Sequence, residues 1–299
     1  ISISAMLIAA GCGSGSSATK SAQSGTPAST AAKPAVTCDT AEATEMLYLR
    51  DLSNIAITNK EELGKVLGML STDPKGAIAR EVKLYTKLLA DVRATNPPAQ
   101  WSGKHAKLLD AIDKVRVTVG KLKDAVAKSD AAAVNSLTST MTTSVNAYNS
   151  AQQAFYTDIP RDAPTSAADE SKPGCPKDAA EKLTYLAHVS DATASETVLS
   201  DMMQKIAGGD AAGGIALGVN YYKQAHASIA ALTPPPAWKA HHAALVTLTQ
   251  DLQQTMASLG RLLDSTDRAA ATATITDAQR EISDFAQLQN DMLNDRKPS

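Results

Sequence analysis

The chain has 299 residues, with 29 Lys and Arg against 31 Asp and Glu and a formal charge of −2. That balance argues against a protein built to grip nucleic acid, which needs a surplus of cations. Hydrophobic residues at 43% and charged ones at 20% belong to a folded domain rather than a disordered chain, and no apolar run of about 18 residues follows Cys12 that would cross a bilayer as a helix.

Residues 1–11 form a short apolar stretch ending in small residues, the form of a secretory signal and its cleavage site. Neither an initiator Met nor a basic segment precedes it, as in a precursor whose start is missing. Ile8-Ala9-Ala10-Gly11-Cys12 resembles the lipobox of bacterial lipoproteins, with Ala9 where Leu is most usual. The resemblance implies cleavage before Cys12, a diacylglycerol on its sulfur, and a mature protein anchored by lipid to the outer face of the bacterial cell membrane. Residues 12–37 are mostly Gly, Ser, Ala, Thr and Pro, with only Lys20 and Lys33 charged. Such a segment buries too little apolar surface to offset its ordering entropy. It is expected to act as a flexible tether with a reach of roughly 25–30 Å.

Sliding the chain on itself by 137 residues gives an ungapped match. Cys38 falls on Cys175, Tyr48 on Tyr185, Ser53 on Ser190, Asp73 on Asp210, and Pro97-Pro98 on Pro234-Pro235. Trp101 falls on Trp238, His105 on His242 and Gln152 on Gln289. The chain therefore reads as two repeats, 38–160 and 175–299, joined by a linker over 161–174 rich in Pro, Ser, Ala and Asp.

Within a repeat the apolar pattern is helical throughout, with no period-two alternation. Asp39-Thr40-Ala41-Glu42 reads as a capping box opening the first helix. Asp73-Pro74 caps the second, the proline pair separates second from third, and Asp130 and Asp267 cap the fourth helix of each repeat. The third helix shows the clearest seam, with Trp101, His105, Leu108, Ile112, Val115, Val119, Leu122 and Val126 in alternating steps of four and three. An apolar period near 3.5 with short connections predicts an all-α chain of two tandem up-down-up-down four-helix bundles.

Each seam includes polar residues. Counting equal heights from the turns, at about 1.5 Å per residue, places Ser190, His226, His242 and Gln289 in one core layer. The 137 offset gives Ser53, Leu89, His105 and Gln152 in the other. A buried imidazole needs a hydrogen-bond partner, and Ser and Gln at the same level supply one. The layer thus reads as a satisfied polar core that sets helix register, with a ligand pocket as the alternative. A metal is not expected, because Leu89 stands where His226 would repeat and no carboxylate or thiol joins the layer. Trp101 and Trp238 sit beside the proline turns as a lid on the bundle end, or alternatively as a binding surface there.

Adjacent His241 and His242 point about 100° apart on a helix and cannot easily share an ion. The glycine-rich segment 208–214 lacks the Gly-Lys-Ser/Thr ending of a phosphate loop. No nucleophile elbow, zinc-protease or di-iron motif occurs, so no enzyme and no cofactor are expected. With Cys12 carrying lipid, Cys38 and Cys175 remain as an even pair outside the cytoplasm. Even helix number returns the first repeat to its starting end, where the linker delivers Cys175, so a disulfide between Cys38 and Cys175 is expected. These features together predict an extracytoplasmic, lipid-anchored protein with a binding or structural role. Its partners would be the membrane and an unidentified protein or small molecule, not nucleic acid.

Overall fold

The computed structural model describes residues 38, 40–69, 72–162, 175–193, 209–262 and 267–298, together with 198, 201, 202 and 205. Cys12, the signal segment, the tether and the linker from residue 163 lie outside the described residues. Among the described residues all regular structure is helical. The eight α-helices are α1 (Ala41–Met69), α2 (Pro74–Arg93), α3 (Ser102–Ala127), α4 (Ala131–Thr157), α5 (Ala179–Ala192), α6 (Ala211–Ala230), α7 (Lys239–Leu262) and α8 (Arg268–Leu293). Short 3₁₀ turns ending at Trp101 and Trp238 lead into α3 and α7. The all-α bundle architecture expected from the seam periodicity is present.

The helix starts follow from side-chain chemistry. Asp73, Asp130, Asp210 and Asp267 each accept from the backbone N–H three residues on, at 2.9–3.0 Å, satisfying one of the donors a helix N-terminus leaves unpaired. At α2 and α6 that third residue is glycine for a steric reason. A Cβ on Gly76 would lie 2.0 Å from the Asp73 carboxylate, and one on Gly213 would lie 2.2 Å from that of Asp210. At the first helix Thr40 Oγ1 accepts from Ala43 N at 3.2 Å, while Asp39 of the expected capping box lies outside the described residues.

Consecutive helices pack as neighbours within residues 38–160 and again within 175–298. The first and last helices of a half meet only sparsely, as where the Tyr48 and Phe155 rings lie 5.5 Å apart. Instead α1 packs along α8, α5 along α4, and α1 meets α5 between them. Ser53 Oγ donates to Asn290 Oδ1 at 2.9 Å, and the Asn54 and Asn294 amides exchange bonds at 3.3 and 3.1 Å, tying α1 to α8. Across the molecule Gln153 Nε2 donates to the Ser190 carbonyl at 3.4 Å, and Arg161 grips the Asp191 carboxylate at 2.7 and 2.9 Å.

This interlocking joins the two tandem bundles through their first and last helices. A helix buried all round must be enclosed on every side, and Met46, Leu47, Tyr48 and Leu49 are consecutive buried residues of α1. The run Leu183 to Ala187 is buried likewise in α5. One half offers these helices too few neighbours, so each buries its remaining face on the other half. The result is one continuous hydrophobic core spanning both halves. The Cys38–Cys175 disulfide, with Cα atoms 5.8 Å apart, pins the starts of the two central helices together.

Candidate functional site

Because neither half closes, a cavity of about 400 Å³ remains between α1, α4, α5 and α8, bordered by α6 and α7. Leu52, Leu186, Phe155 and Phe285 form apolar walls, and uncharged polar groups interrupt them. Ser53 and Gln152 reach it from the first half, Ser190 and Gln289 from the second. No Asp, Glu, Lys, Arg or His lines it among the described residues. The volume lies in the range typical of small-molecule sites.

The polar groups fall into two sets. Ser53 is committed to Asn290, while Asn146, Asn149 and Tyr221 are engaged in interactions within the protein. The side chains of Gln152 and Gln289, 137 residues apart, make no hydrogen bond to any described residue. Each therefore retains two donors and an acceptor for an occupant. Burial pushes the Tyr156 phenol up to about 12 and raises that of Tyr222 as well. Both stay protonated at neutral pH and offer hydroxyl groups rather than charge.

The structure divides the predicted polar layer. Ser53, Gln152, Ser190 and Gln289 gather at the cavity, whereas none of the three imidazoles lines it. His105 Nδ1 lies 2.7 Å from the Tyr48 hydroxyl and His242 Nδ1 lies 2.8 Å from that of Tyr185. His226 Nδ1 donates to the Val246 carbonyl at 3.1 Å, and Leu89 is a buried core residue. Equal-height counting treats helices as parallel rods of point residues. A bundle crossing of about 20° and the reach of a phenol shift the meeting level by more than one turn. Burial lowers the pKa of His105 and His242 and lifts the Tyr48 phenol up to about 12. Both pairs are thus neutral hydrogen bonds that join the first and third helices of each half.

Trp101 and Trp238 are buried at the disulfide end. A lysine ammonium covers each ring, Lys104 at 5.7 Å and Lys182 at 5.4 Å from the ring centre. These cations pair with Asp158, the C-cap of α4, at 2.8 Å and with Asp295, one residue past the C-cap of α8, at 2.6 Å. The covering lysine comes from α3 in one half and from α5 in the other, so the same lid is built from different positions. His241 is buried with Nε2 donating to the Arg296 carbonyl at 2.7 Å, while neighbouring His242 faces Tyr185. A smaller cleft of about 250 Å³ lies at this end, and two of its three carboxylates are engaged, Glu45 by Gln100 and Asp158 by Lys104.

Apart from Gln152, sequence reasoning missed the contribution of α4. Thr142, Asn146, Asn149, Gln153 and Tyr156 all line the cavity, and their steps of four, three, four and three put them on one helical stripe. A stripe that is polar yet wholly uncharged, beside an apolar seam, is the signal that could have found them. No family model matches the chain, and no curated protein or solved structure is significantly similar to it.

Proposed function

We propose that this is a non-catalytic binding protein, held outside the cell by a lipid on Cys12 and the 12–37 tether, whose ligand is an uncharged amphiphilic small molecule seated in the central cavity. The single observation that carries this reading is the cavity's lining, in which apolar walls surround unpartnered Gln152 and Gln289 amides with no Asp, Glu, Lys, Arg or His among the described residues. A charged ligand entering such a site would lose its hydration without gaining a counter-ion, at a cost of several kcal/mol. An uncharged one recovers its hydrogen bonds from the two amides and the Tyr156 and Tyr222 hydroxyls. Catalysis would need a nucleophile, base or metal ligand at the occupant, and the histidines are bonded elsewhere.

The test is a thermal-shift titration with three probes sharing one chain length: 1-decanoylglycerol, decyl sulfate and decyltrimethylammonium. The neutral probe should raise Tm by several degrees at saturation, since an occupancy of about 100 Kd adds about 2.7 kcal/mol. The charged probes should not. Ala286→Trp, which fills the cavity, and the Gln152→Leu/Gln289→Leu pair should reduce the response, while His105→Leu should leave it intact. Equal stabilisation by charged probes, or a response that survives Ala286→Trp, overturns the proposal. Incorporation of labelled palmitate that disappears with Cys12→Ser tests the anchor separately.

A further inference from the structure

The charge of the folded part is unevenly shared. Residues 74–128, which form the α2–α3 hairpin, hold twelve Lys and Arg against five Asp and Glu. The matching segment 211–265 holds three against two. Of the five carboxylates, Glu81 is buried, Asp91, Asp110 and Asp113 are paired with Lys87, Lys114 and Arg116 of the same hairpin, and Asp124 is exposed beside Lys121, Lys123 and Lys128; Arg80 and Lys104 pair outside the hairpin with Glu62 and Asp158. That leaves Lys75, Lys83 and Arg93 on α2, and Lys107, Lys121, Lys123 and Lys128 on α3. All seven are exposed and have no ion-pair partner among the described residues.

Their arrangement is regular. Lys107, Lys114, Lys121 and Lys128 recur at heptad spacing and so form a stripe of roughly 32 Å along the outer side of α3. The corresponding positions of the second half are Ala244, Asp251, Ser258 and Ser265. A hairpin stabilised for itself would intersperse signs, because like charges on neighbouring helices repel. Here Asp124 alone stands against seven unpaired cations, a surplus that calls for an external anion of matching extent.

We infer that the outer face of α2–α3 docks on an anionic phospholipid bilayer. Six of the seven unpaired cations are lysines, compact point charges suited to phosphate without the fork geometry that reads individual groups. The face is long and rigid, as a planar surface requires. Its aromatic residues Tyr85 and Trp101 are buried, so it lacks the exposed rings on which nucleic acid bases stack. Docking stands on the hairpin's own charge and does not need the anchor or the cavity to be as proposed above.

The experiment is vesicle co-sedimentation of the disulfide-bonded full chain carrying Cys12→Ser, so that no acyl group can hold it. Binding is expected to vesicles of equal phosphatidylglycerol and phosphatidylcholine at about 25 mM salt, with little to pure phosphatidylcholine and little at about 500 mM salt, where screening shortens the field. Each lysine near such a surface changes partitioning by roughly fivefold. Lys107→Gln/Lys121→Gln/Lys128→Gln should therefore bind at least about tenfold more weakly, with its circular dichroism unchanged. Lys177→Gln/Lys223→Gln/Lys239→Gln, which removes the same charge from the other half, should bind as the parent does. No sedimentation with anionic vesicles, an equal loss in both triple variants, or tighter binding to a single-stranded oligonucleotide in the same buffer overturns the inference.

Discussion

Glu81 on α2 is 4% exposed, and its Oε1 has no hydrogen-bond partner among the described residues. Burial alone lifts its pKa from an ordinary 4.5 to about 7. In the unfolded chain the carboxyl titrates normally, so between those two values the folded state holds the extra proton. Stability is full below about pH 4.5, falls as pH rises through the window, and reaches its lower plateau above about pH 7. At about 1.36 kcal/mol per unit, the ionised side chain costs the folded state about 3 kcal/mol at pH 8. Glu81→Gln keeps the volume and cannot ionise. Urea denaturation of parent and variant, followed by circular dichroism without reductant, should give equal stabilities near pH 4.5. The variant should lead by about 3 kcal/mol near pH 8, or roughly 6–12 °C in Tm for a chain of this size. Other raised or lowered carboxyls, Glu281 and Asp210 among them, are common to both proteins and cancel in the difference. A difference that stays constant across the range would refute the reasoning.

The disulfide closes a loop of 137 residues, and the chain-entropy relation gives about 5 kcal/mol for a loop of that length. Cys38→Ser/Cys175→Ser should lower stability by about that amount, and a loss under about 1 kcal/mol would mean that the interlocked helices hold without it. Tyr48→Phe leaves the buried His105 ring without its partner at 2.7 Å and should cost about 1–3 kcal/mol by denaturation. Tyr185→Phe should cost less, because His242 is half-exposed and water can replace the phenol; a reversed order would count against the pairing. Gly76→Ala and Gly213→Ala push a Cβ into the cap carboxylates, so each should cost about 1 kcal/mol or more instead of giving the usual helix gain from Gly to Ala. Stabilisation by either change would contradict the cap geometry.

Local chemistry made much of this protein legible in one dimension. The Asp caps, the proline breaks and the four-three seam of α3 act within a turn or two, where sequence neighbours are spatial neighbours, so helix number, order and most starts could be read directly. The Cys38–Cys175 pairing followed from counting helix reversals. Ser53, Gln152, Ser190 and Gln289 could be recognised as polar seam positions, and their recurrence at an offset of 137 singled them out. What they face could not be read, because a first helix meets a last helix through the same side chains whether the partner lies in its own half or in the other. Only the tertiary fold decides that α1 lies on α8 and α5 on α4. The apolar run Met46–Leu49 and the largely apolar run Leu183–Ala187 hinted at central helices, but enclosure on all sides depends on surface contributed by residues more than a hundred positions away. The cavity belongs to that same long-range choice. It is the volume left when two open bundles complete each other, so it has no local signature beyond the uncharged stripe of α4. The separation of the histidines from that cavity was likewise set by helix crossing and side-chain reach, which residue counting along straight rods leaves out.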